Sequence, residues 1–214
     1  MIPKPLFTRL ALVLAYLVSL AGFRPVRTAH AKIGTMVPNA QMPTPEGGKA
    51  QVLASVEANV LVFLRPNQQR SLSALHELAQ CQSQFAGKSV RWLAIVSSSA
   101  PPEGVASLMR DTRFAAPVLI DSGDVLYASL GLAQHPAVVI VGRDQKLLAF
   151  EPFRSLNYGS VVCARIRHLL REITEDELRQ VLGPPRSPQG GSDQVAQLFR
   201  KWENDSAGFP ISEK

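Results

Sequence analysis

From Val60 onward the chain alternates short β-branched runs with longer segments of helical period, and that alternation sets the expected elements. Val60 to Leu64 (VLVFL) is a continuous apolar run, the pattern of a strand covered on both faces of a sheet. Ser71 to Phe85 then carries Leu72, Leu75, Leu78, Cys81 and Phe85 at steps of three or four, which predicts a helix with one apolar face. Ser71 is placed to accept a hydrogen bond from a free amide of its first turn, and Gly87 to close it. A strand follows at Val90 to Val96, and a short helix after Pro101 and Pro102, from about Glu103 to Arg110. Val118 to Asp121 reads as a strand and Val125 to Leu130 as a short helix. Ala137 to Val141 and Lys146 to Phe150 are strands joined by the polar turn Gly142-Arg143-Asp144-Gln145, a hairpin. Tyr158 to Ile173 is a long amphipathic helix with Val162, Ile166, Leu169 and Ile173 on one side. The order β-α-β-α-β-α-β-β-α fits a three-layer α/β domain with a mixed sheet, its parallel crossovers carrying helices across the faces.

The flanks differ in composition. Residues 33–49 form a lead-in containing Pro and Gly, ahead of the first assigned strand. After the domain, Thr174 and Glu177 have capping-box spacing and open a helix to Leu182. Gly183 to Ser192 (GPPRSPQGGS) is a linker by composition, because it holds too little apolar surface to order itself. Asp193 to Trp202 resumes a helical face of Val195, Leu198, Phe199 and Trp202. A lone short amphipathic helix is marginal in water, so packing back on its own domain is the first expectation and partner binding the second. Residues 1–31 have a basic start, an apolar run from Leu10 to Phe23, and small residues at Ala29 and Ala31. These mark a secretory signal cleaved before Lys32, with a retained N-terminal anchor as the alternative because Arg24 and Arg27 charge the stretch before the cleavage site. The apolar run covers 14 residues, whereas a membrane-spanning helix needs about 20. No cysteine follows it, which excludes a lipid-modified one. The units are therefore residues 1–31, 32–173 and 174–214.

Composition changes the picture in one respect. The 214 residues are 46% hydrophobic and 19% charged, enough apolar surface for a core, and two cysteines exclude a disulfide-dense miniprotein. A formal charge of +6 invites a nucleic-acid reading, but Lys4, Arg9, Arg24 and Arg27 lie in the first 31 residues with no acid among them. Residues 32–214 are left with 19 basic and 17 acidic side chains, a charge of +2. Nucleic acid is not expected as a partner, and membrane contact only through an uncleaved N-terminal segment.

The strand VLVFL, the loop LRPNQQRS, the helix ending HELAQC and the later run FAAPVLIDSGDVLYASLGLAQHPAVVIVGRDQKLL resemble the thioredoxin-like redoxin families. These include the exported thiol-disulfide reductases of cytochrome c maturation and the peroxiredoxins. The resemblance covers about Ile33 to Ile173 and implies a thioredoxin-like α/β/α sandwich, here with a C-terminal helical extension, and a cis-proline at Pro136. In the reductases the loop after the first core strand carries two cysteines flanking two residues, where a helix N-terminus favours the thiolate. Aligning HEL with the family's PEL places those positions on Gln68 and Ser71, so the motif reads QQRS and contains no thiol. Pro66-Asn67-Gln68-Gln69 likewise supplies no attacking cysteine of the peroxiredoxin kind. What the resemblance leaves is a groove made by Asn67, Gln68, Gln69, Arg70, Ser71, His135 and Pro136. The backbone of His135 would pair with an extended segment of an envelope protein, in a periplasmic or extracellular compartment, with no cofactor and no metal.

The cysteines admit three readings. Cys81 lies on the apolar side of its helix, about three turns from the N-terminus, where the dipole no longer favours a thiolate. The thioredoxin-like fold sets its helix beside that of Cys163. Two reduced core thiols are the first expectation, a structural disulfide worth about 4 kcal/mol the second, and a redox-active pair serving a thiol-disulfide oxidoreductase or peroxidase the third. A structural subunit of an envelope complex is a further class, tested by deleting Asp193 to Trp202. Among His30, His76, His135 and His168, a Ser-His pair or a metal or haem site at His76 and His135 lacks supporting ligands, and no CxxCH occurs. His135 is expected as a polar residue lining the groove, Asp121 and Asp124 as turn and cap residues, and Arg65, Arg70 and Arg113 as a solvated rim.

Overall fold

The structure is a computed structural model that describes residues 30–154 and 156–183. The signal or anchor reading of the N-terminus, the linker beyond Gly183 and the 193–202 helix lie outside the described residues.

Strand β3 (Ala58–Leu64) is buried along its whole length because it lies at the centre of a five-stranded sheet. It pairs in parallel with β4 (Val90–Ser97), placing Val60 opposite Trp92, and antiparallel with β6 (Ala137–Gly142), placing Val60 opposite Ile140. With β5 (Val118–Asp121) and β7 (Leu147–Pro152) at the edges, the order is β5-β4-β3-β6-β7. Because successive side chains of a strand point to opposite faces, β3 feeds two cores. Val60, Val62 and Leu64 pack with α1 (Gln69–Ser83), α2 (Pro102–Thr112) and α4 (Tyr158–Leu169). Leu61 and Phe63 pack on the other face with the short α3 (Val125–Ser129) and the N-terminal lead-in. The predicted mixed sheet with helices on both faces is observed, and α5 (Glu175–Leu182) extends it. Among the described residues no helix is long and apolar enough to cross a membrane.

Two local expectations are corrected, and one pair of elements is added. Around the lead-in, to which the sequence assigned no element, β1 (Gln41–Pro43) and β2 (Lys49–Gln51) form an antiparallel hairpin. Each strand has three residues with mixed polar side chains, too short to show a period, yet Met42, Val52 and Leu53 are buried against the sheet. Helix α1 begins at Gln69 with Gln68 at its cap position and no side-chain cap, so Ser71 lies inside the first turn. Ser71 is fully buried, and its Oγ accepts instead from the Arg65 amide at 3.3 Å. Helix α4 stops at Leu169 and not at Ile173, with Arg171 in the left-handed region at φ 60°. The chain has to break there because Thr174 opens α5 with the predicted capping box, its Oγ1 accepting from the Glu177 amide at 3.3 Å.

Tyr127 ties the two layers at the end of the sheet that follows β3. Its hydroxyl lies 3.0 Å from both the Leu64 and the Ile95 carbonyl oxygens, sharing its proton between the ends of β3 and β4. Its amide donates to Asp121 Oδ2 at 2.9 Å, so Asp121 caps α3 as expected. Asp124, at the cap position itself, makes no side-chain cap bond.

Candidate functional site

The β3–α1 loop and the segment before β6 meet above this end of the sheet. The His135–Pro136 peptide is cis, as the resemblance implied. Gln68, Gln69 and Arg70 on one side, and His135 and Pro136 on the other, line an open groove of about 1050 Å³. Five of the seven expected groove residues are thus brought together. The other two are not. Ser71 is buried beneath the loop, and Asn67 faces a smaller hollow of about 340 Å³ towards α2. Gly104 closes that hollow, since a Cβ there would lie 3.3 Å from Asn67 Oδ1.

Two arginines beyond Arg70 also line the groove, Arg65 and Arg154. Arg65 was expected only as a solvated rim residue, and Arg154 was not expected at all. Arg154 arrives through sheet register: Ala137 lies opposite Pro152, and the Phe153 amide donates to the Pro136 carbonyl at 3.0 Å. The hairpin expected from sequence ends at Phe150, and only the observed strand, which runs on to Pro152, brings Arg154 beside the start of β6. Glu151 stays out of the groove, buried and accepting from Arg165 Nε at 2.8 Å.

His135 has an unusual setting for a groove residue. Its Nδ1 accepts from Arg65 Nε at 3.4 Å and its ring lies 4.9 Å from that of Tyr127. Burial, and then the Arg65 guanidinium, lower its pKa below the ordinary histidine value, against an opposing pull from Asp124. The imidazole is therefore neutral at neutral pH, with Nδ1 as acceptor. With Nδ1 engaged by Arg65 and the Ser71 hydroxyl engaged by the Arg65 amide, the two residues do not form a base–nucleophile pair. His76 is exposed on α1, His168 lies 3.2 Å from Glu175, and His30 stacks on Phe150, so none joins His135. No cluster of His, Cys, Asp and Glu among the described residues is able to hold a metal ion.

The expectation of two reduced cysteines is overturned. Cys81 of α1 and Cys163 of α4 form a disulfide with Cα atoms 5.6 Å apart. The helices approach this closely because the first turn of α4 carries Gly159, where a Cβ would meet the Glu77 carbonyl oxygen at 2.8 Å. The Gly159 amide donates to Glu77 Oε2 at 2.9 Å, fixing the same approach from the other helix. Both cysteines are buried, at 2% and 7% exposure. Cys81 sits in the last turn of α1, the end of a helix that disfavours a thiolate.

No protein family matches the sequence, and no curated protein is significantly similar to it. Solved structures are similar in shape. A secreted disulfide oxidoreductase of Mycobacterium tuberculosis, homologous to E. coli DsbE, matches with a TM-score of 0.52 at 18% identity, over 61% of this chain and 96% of its own. The peroxidoxin BcpB of Mycobacterium tuberculosis matches at 0.56 with 20% identity, over 65% and 98%. A hypothetical protein of Sinorhizobium meliloti matches at 0.59 with 18% identity, over 67% and 87%. The fold is thioredoxin-like. Within this thioredoxin-like domain the groove occupies the end of the sheet where the cis-proline and the β3–α1 loop meet, and that loop holds Gln68 and Ser71.

Proposed function

We propose that this protein is exported and binds an extended segment of an envelope protein in its cis-proline groove, without thiol chemistry. One observation carries the reading. Among the described residues, the backbone N–H and C=O groups of residues 133–135 enter no hydrogen bond within the protein. They border the groove with free donors and acceptors, so an incoming strand finds partners without displacing any existing bond. The loop opposite supplies amides and a guanidinium from Gln68, Gln69 and Arg70, which hydrogen-bond but do not exchange disulfides. Export is supported by the N-terminal sequence pattern and agrees with a buried disulfide, which persists in oxidising compartments.

The competing reading is a thiol-disulfide oxidoreductase working through Cys81 and Cys163, favoured by the activities named for the similar structures. A hollow of about 450 Å³ between α1, α4 and α5 does reach the two cysteines, but they lie apart from the groove. Insulin reduction separates the readings. The binding role predicts no turnover above the glutathione background, together with shifts of the 133–135 amide resonances when an extended peptide is added. Robust turnover abolished by Cys81→Ser would overturn it.

A further inference from the structure

We infer that the groove selects an acidic extended segment of its partner. The inference rests on the peptide-binding reading above and adds the chemistry of the occupant. Arg65, Arg70 and Arg154 line the groove, and no carboxylate side chain lines it with them. Neither Arg65 nor Arg70 has a carboxylate within 4.0 Å among the described residues. Arg154 reaches only Glu151, at 3.8 Å, whose carboxylate is already held by Arg165 at 2.8 Å. The imidazole between them accepts from Arg65 and adds no positive charge. Three guanidinium groups around one groove repel one another, and a bound row of carboxylates removes that cost while offering the planar fork geometry arginine prefers.

The layout also indicates a peptide over a smaller anion. Arg70 rises from the start of α1, whereas Arg154 follows β7, on opposite sides of the cis-proline. A strand laid along residues 133–135 sends alternate side chains to the two sides, so acidic residues along it meet guanidinium groups in turn. The mature chain's small net charge is compatible with this, because the excess is local and needs no basic surface elsewhere.

The test uses fluorescently labelled peptides of about ten residues, long enough to pass the groove in extended form. One repeats Asp-Asp-Thr, one Gln-Gln-Thr and one Lys-Lys-Thr, so that the varied side chain is presented to both sides of the strand. Anisotropy titrations on the mature chain should place the acidic peptide about tenfold tighter than the Gln peptide, with the Lys peptide weakest. Raising salt from about 0.05 M to about 0.5 M shortens the screening length from roughly 14 Å to roughly 4 Å and should erase that preference. Arg70→Gln combined with Arg154→Gln should erase it too, while Arg113→Gln, outside the groove, retains it. Urea midpoints of both variants confirm that they are folded. Equal affinity for all three peptides overturns the charge selection and leaves the groove reading standing. Failure of every peptide to bind overturns both. A single-stranded oligonucleotide that binds more tightly than the acidic peptide overturns the assignment of a protein partner.

Discussion

Reducing the Cys81–Cys163 bond should destabilise the domain without removing an atom from its core. The cysteines are 82 positions apart, so the bond closes a long loop that spans most of the sheet. In the chain-entropy account a loop of that length restricts the unfolded state by about 4.5 kcal/mol. The two thiols left behind occupy nearly the same volume, and the Gly159–Glu77 contact remains to hold α1 against α4, so the folded state changes little. With a urea m-value of about 2 kcal/mol/M, the midpoint should fall by roughly 2 M on reduction. The m-value itself should rise, because the uncrosslinked chain exposes more surface when it unfolds. Paired urea titrations with and without reductant, followed by fluorescence of the buried Trp92, measure both quantities. Mass spectrometry after alkylation in denaturant verifies the starting state: no label without reductant, two labels with it. An unchanged midpoint in fully reduced protein would refute the reasoning, as would two labels acquired without reductant.

Gly159→Ala should destabilise by about 1–3 kcal/mol, because its Cβ meets the Glu77 carbonyl at 2.8 Å and the backbone must shift; urea denaturation reads it. Tyr127→Phe removes the hydroxyl shared by the Leu64 and Ile95 carbonyls and should cost about 1–2 kcal/mol in the same assay. His135 should titrate by NMR below the ordinary histidine value, and Arg65→Gln should raise its pKa, since burial and Arg65 both disfavour the cation. The sign for stability follows from linkage. Between the depressed folded value and the unfolded value of about 6.5, the unfolded chain binds more protons, so this residue's contribution is complete above that window and declines as pH falls through it.

The strands were legible because each is either continuously apolar or bounded by turn residues, and β3, β4 and β6 lie where VLVFL and its relatives predict them. The β1–β2 hairpin was not, since QMP and KAQ carry no period and are held by burial of neighbours such as Val37 and Val52. The start of α1 was misread at Ser71 for a related reason. A serine near a helix start is ambiguous between a cap and a buried hydroxyl, and only the fold of the loop over it shows that its partner is the Arg65 amide. The groove was legible in its two halves, QQRS and HP, through the family resemblance. Its third arginine was not, because Arg154 reaches the groove by strand pairing and not by any local motif.

The order of elements from β3 onward and the location of the basic excess follow from periodicity and composition, and the sequence alone determined them; that Gln68 and Ser71 stand where the redoxins carry cysteines follows from the family resemblance. The state of the cysteines was open until α1 and α4 were seen side by side, because a disulfide depends on a distance between residues 82 positions apart. The same holds for the charge of the groove. Arg65, Arg70 and Arg154 are scattered along the chain, and only the register of β6 with β7 and the packing of α1 bring them around one cleft. Periodicity is a local property that neighbouring residues reveal; proximity of distant side chains is created by tertiary packing, and in this protein the bridge and the groove both depend on it.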